Sequence, residues 1–60
     1  MITYTLATTV FATALGRRLR VTPQVQADSP AAALSILTQR LRDQQQAGQV
    51  AWFTYPVIAG

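Results

Sequence analysis

Very few side chains in this sequence can carry chemistry. There is no cysteine, histidine, glutamate, lysine or asparagine, and the only carboxylates are Asp28 and Asp43. A zinc site draws about four ligands from Cys, His and acidic residues, and a nucleophilic triad needs an imidazole or similar base beside its hydroxyl. Neither can be assembled from two aspartates. Ser29 stands just before Pro30 at a helix start, and Ser35 falls on the polar side of that helix. They read as a cap and a surface residue rather than as nucleophiles. The expectation is a non-enzymatic chain without a metal site or a cofactor.

The charged residues that remain point to binding. All five basic residues are arginine, and the formal net charge is +3. Arg17, Arg18 and Arg20 fall together, on a hairpin and the outer face of the strand after it. Arginine suits bidentate contact with phosphate or carboxylate and stacks on aromatic rings. A β-ribbon carrying such residues can lie in a nucleic-acid groove, whereas the same charges on an edge strand keep sheets from aggregating. With no lysine and a modest net charge, nucleic-acid binding is the second reading of this cluster.

These residues have to be positioned by a single α+β domain spanning residues 1–60, a size that buries only about 60% of its unfolded surface. Ser29 to Gly48 reads as its one helix, opened by a serine cap with proline behind it and closed by a glycine. At 100° per residue Pro30, Ala33, Leu34, Leu37 and Leu41 share a stripe for the core, and Ala32, Ser35, Gln39, Arg42, Asp43 and Gln46 share the opposite face. Gln44 to Gln46 read as a solvated last turn.

Ile2 to Ala12 alternates as a strand, with Ile2, Tyr4, Leu6 and Val10 on one side and Thr3, Thr5, Ala7 and Thr9 on the other. Its arginines follow the apolar run instead of preceding it, which is the wrong order for a secretory signal, and the run is shorter than the ~20 apolar residues of a membrane span. No membrane role is expected. A loop of about 3–5 residues around Gly16, with Leu15 at its tip, leads to a second strand, Arg18 to Ala27. Leu19, Val21 and Val25 face its core side, and Pro23 interrupts it. Val50 to Ile58 gives the third strand, interrupted by Pro56. Proline belongs on sheet edges, and only the first strand lacks one. The expected fold is therefore β-β-α-β, a three-stranded antiparallel sheet of order 2-1-3 with one helix packed on one face.

One helix covers one face, and the third strand is apolar on both sides, with Val50 and Trp52 against Ala51, Phe53 and Tyr55. At least one aromatic must reach the uncovered face, and exposed apolar patches mark partner sites. Trp52, Phe53, Tyr55 and Phe11 are the candidate protein-binding residues, with a second copy of the chain, as a dimer, the nearest partner. Ile36 and Arg40 on the helix flank read as side chains reaching over the sheet edge.

The run from Val25 to Pro56 resembles the small T7-type phage proteins that inhibit host RNA polymerase. The matching residues are Ala27-Asp28-Ser29 with Ala33-Leu34 at the helix start, Ala47-Gly48 at its end and Pro56 in the last strand, in the same order of elements. The run covers about half the chain. Similar letters also mark this junction in the arm-binding domains of tyrosine recombinases. The phage family has an acidic surface and polymerase-contacting arginines on its last strand; here Phe53 and Tyr55 occupy those places and no acidic strip exists. The resemblance implies a fold of this shape and a phage-like, non-enzymatic inhibitor or regulator of a host complex, working in the cytoplasm of a bacterial or phage-infected cell. It transfers no contact residue.

Overall fold

A computed structural model of the chain describes residues 1–59. The elements follow in the order β1 (Ile2–Ala12), β2 (Arg17–Val21), β3 (Gln24–Ala27), α1 (Pro30–Gln46), β4 (Val50–Phe53) and β5 (Val57–Ile58). Every other strand pairs antiparallel with β1. Val10 is paired with Leu19 and also with Phe53, so β2 and β4 occupy opposite edges of β1.

On one edge β2 and β3 are two pieces of a single path. Val21 pairs with Thr8 and Gln24 with Thr5, so equal stretches separate the pieces on both strands and the register is unbroken. Within that gap the Leu6 N–H donates to the Pro23 carbonyl at 2.9 Å, but proline has no N–H to return. The break is a missing donor, not a turn. On the other edge β4 and β5 form the third path, split around Pro56. The architecture is thus α+β, with the β2–β3 path on one edge, the proline-free β1 in the centre and the β4–β5 path on the other edge, which is the expected order 2-1-3.

The hairpin loop is Thr13 to Gly16, with Gly16 at φ +66° and Leu15 exposed. Helix α1 starts at Ser29, whose extended backbone lets its hydroxyl accept the Ala32 N–H at 3.1 Å. It ends with Gly48 at φ +80°, where the Gln49 N–H reaches the Gln44 carbonyl and the Gly48 N–H reaches that of Gln45. This paired bonding satisfies carbonyls that the helix end would otherwise orphan. Thr13 fastens the same corner, its N–H donating to Gln49 at 3.1 Å and its hydroxyl to the Gly48 carbonyl.

The core lies between α1 and the sheet. Leu6 and Val10 of β1, Val25 and Ala27 of β3 and Val50 of β4 meet Ala33, Leu37 and Leu41 of α1. Leu6 and Ala33 have no exposed surface. The helix stripe differs from expectation at three positions. Pro30 is exposed, because the stripe meets the sheet only from Ala33 onward, and Ala32 packs partly on the core. Thr38 is buried on the far side of Leu34, its hydroxyl without a partner. The Gln44 to Gln46 turn is largely solvated, with Gln45 and Gln46 exposed, and the Gln45 amide donates to the Ala51 carbonyl at 3.0 Å.

Candidate functional site: the helix-free face of the sheet

Strand alternation sends Thr3, Thr5, Ala7, Thr9 and Phe11 of β1 away from the helix. The register with β2 and β3 then sets Arg18 across from Phe11, Arg20 across from Thr9, Gln24 across from Thr5 and Gln26 across from Thr3. Directly paired residues share a face, with Cβ atoms about 5 Å apart. Arg17 pairs with Ala12, one step out of phase, and so belongs to the helix side. The arginines expected as one cluster are therefore two on this face and one behind it. The strands contribute no acidic side chain to the face.

The third path completes the surface through two irregularities. From Ala12–Val50 to Val10–Phe53, β1 advances two residues while β4 advances three. The extra residue is a β-bulge, and it breaks the alternation of β4. Val50 and Phe53 both turn to the core, whereas Trp52 stands 41% exposed on the outside. This corrects the strict alternation that grouped Val50 with Trp52 and Phe53 with Tyr55. Trp52 meets Phe11 with ring centroids 5.8 Å apart and planes tilted by 35°, a favourable aromatic geometry. Of the four aromatics expected to bind a partner, Phe53 is taken by the core and Phe11, Trp52 and Tyr55 remain.

The second irregularity lies between Val10–Phe53 and Ala7–Val57, where the outer path again has one residue more than β1. Pro56 cannot give a ladder bond and turns into the core, where it is fully buried. Thr54 supplies the missing connections. Its N–H donates to the Thr9 carbonyl and its hydroxyl accepts the Thr9 N–H, while the Thr8 hydroxyl donates to its carbonyl at 2.6 Å. Tyr55 is pushed outward, 71% exposed, at the rim of a depression of about 210 Å³ that also takes in Thr9, Arg20 and Val57. Thr9, Thr54 and Val57 were not singled out by sequence reasoning. The signal for Thr54 was present, a hydroxyl two residues before a strand proline.

The remaining candidates behave as local structure. Ser29 is a cap and Ser35 is exposed on α1. Asp43 accepts the Gln39 amide at 3.1 Å. Ile36 and Arg40 line a shallow depression on the outer side of α1 with Ser35, Gln39 and Asp43. Among the described residues no cluster of His, Cys, Asp or Glu is able to hold a metal ion, and no helix is long and apolar enough to cross a membrane. Comparison with protein-family models, curated proteins and solved structures finds no match to the chain.

Proposed function

We propose that the chain is a non-enzymatic protein-binding module that holds its partner on the helix-free face. One observation carries this reading: Arg18 and Arg20 by their pairing with β1, Trp52 by its contact with Phe11, and Tyr55 by the depression that it shares with Thr9 and Arg20 all lie on a single surface. Tryptophan, tyrosine and arginine dominate the energetics of protein interfaces, most strongly where they cluster. Two arginines without a nearby strand carboxylate favour a partner surface that is acidic. The resemblance of Val25 to Pro56 to T7-type inhibitors, which transfers no contact residue, supports a phage-like inhibitor or regulator of a host complex such as RNA polymerase.

A nucleic-acid partner is the second reading. It is favoured by the pairing of Arg18 with Phe11, since a guanidinium beside a ring serves both phosphate contact and base stacking. The test is binding of purified bacterial RNA polymerase and of a mixed-sequence oligonucleotide, each at two salt concentrations. The expected result is a polymerase complex that Trp52→Ala weakens by about 30-fold or more and that salt weakens only modestly. Oligonucleotide binding that falls steeply with salt, with no polymerase complex, overturns the protein reading and promotes the other.

A further inference from the structure

The helix does not cover the whole core side of the sheet. Among the described residues α1 lies close over β1, β3, β4 and β5, whereas no Cα of the helix comes within 8 Å of a Cα of β2. Val21 of β2 is consequently only half-buried, although it lies on the core face beside Val10 and Pro23. The uncovered flank is a cavity of about 240 Å³, distinct from the helix-free face and on the other side of the sheet. Its walls are Val10, Val21, Pro23, Leu37 and Leu41, and its rim is Arg40 and Gln44.

We propose that this cavity is a binding site for a small organic acid, an apolar body of about one ring with a short tail ending in a carboxylate. Size sets the body. An apolar cavity of about 150 Å³ accepts benzene, and this one is larger and open at the rim. Chemistry sets the head group. Arg40 is the only charged residue lining the cavity and Gln44 is the only other polar one, so the rim offers donors and no competing carboxylate. A guanidinium binds a carboxylate through two parallel hydrogen bonds. Arg40 stands between this cavity and the depression on the outer side of α1, where Asp43, three residues along the helix, accepts the Gln39 amide and does not line the cavity. Helix geometry explains the arrangement. At 100° per residue Arg40 and Gln44 stand beside Leu37 on one flank of the buried stripe, whereas Thr38 and Gln45 lie on the flank toward β4.

The site is tested on the intact chain by methyl and amide NMR titration with 3-phenylpropanoate and with 3-phenylpropanol, which has the same body and no charge. The expected result is saturable shifts at Val10, Val21, Leu37 and Leu41 with a roughly millimolar Kd for the acid, and binding about tenfold weaker for the alcohol. Arg40→Gln, at an exposed position, removes that tenfold difference without changing the melting temperature. Val21→Phe fills the cavity and abolishes both sets of shifts while the Trp52 and Tyr55 signals stay in place. Equal binding of acid and alcohol by the wild type, shifts centred on Arg18, Arg20 and Trp52, or a tenfold preference that survives Arg40→Gln would each overturn the proposal.

Discussion

Thr9 and Thr54 hold each other through two reciprocal hydrogen bonds. The Thr54 N–H donates to the Thr9 carbonyl at 2.9 Å, and the Thr54 hydroxyl accepts the Thr9 N–H at 2.9 Å. The side chain stands in for a backbone carbonyl where the outer path slips against β1, so the ladder survives the slip. Thr54→Val keeps the shape and removes the acceptor. Leaving a buried or half-buried N–H unpaired costs about 1–3 kcal/mol. Hydrogen exchange should quicken at Thr9 and hardly at all at Leu6, whose amide is held by Pro23 on the opposite edge. Thr54→Ser should restore protection; equal exchange in all three proteins would show that the hydroxyl contributes nothing.

Leu37 is 3% exposed at the centre of the helix stripe, and Gln39 is exposed with one hydrogen bond to Asp43. Leu37→Ala should destabilise the fold by about 2–5 kcal/mol, a large share of what so small a domain possesses. Gln39→Ala should cost only a few tenths, about the value of an exposed i,i+4 pair. Thermal melts of the two variants decide the matter, and similar midpoints would mean that the stripe is not the core.

Most of this fold was legible because its signals are local and periodic. The serine cap, Gly48, the even-numbered side of β1 and the prolines of the outer strands each follow from one residue type doing one physical task. Strand order followed from where proline was absent. The third strand was legible in position but not in facing, because a β-bulge has no residue signature when no glycine marks it. One inserted residue reverses every facing after it, which is why Phe53 went inside and Trp52 outside. The separation of Arg17 from Arg18 and Arg20 was hidden for the same kind of reason, since it depends on pairing phase across the hairpin. The cavity beside β2 had no sequence signal at all. It arises from where α1 comes to rest.

Gly48 has open space where a Cβ would stand, so Gly48→Ala isolates a backbone effect. At φ +80° an alanine is strained by about 1–2 kcal/mol. Gly48→Asn should lose less, because asparagine tolerates this conformation better. Chemical denaturation of both variants measures the difference, and an alanine variant as stable as the wild type would mean that the corner relaxes to another turn.

When no other partner is present, the helix-free face should be covered by a second copy. Phe11, Trp52 and Val57 form its apolar part, and their remaining exposure favours burial at about 25 cal/mol per Å². Edge pairing is the poorer route, because the β4–β5 edge slips register twice and carries Pro56 while the other edge carries Pro23. Stacking of the two sheets is better matched. A two-fold axis running along β1 exchanges the edges, so the β2 arginines of each copy would come to lie over Trp52 and Tyr55 of the other. That arrangement sets guanidinium against ring twice and keeps the arginines of the two copies apart. Sedimentation at micromolar concentration should therefore give a dimer, which Trp52→Ala or the double change Arg18→Gln, Arg20→Gln converts to monomer. A wild-type monomer would end self-association and leave Trp52 and Tyr55 to a different protein.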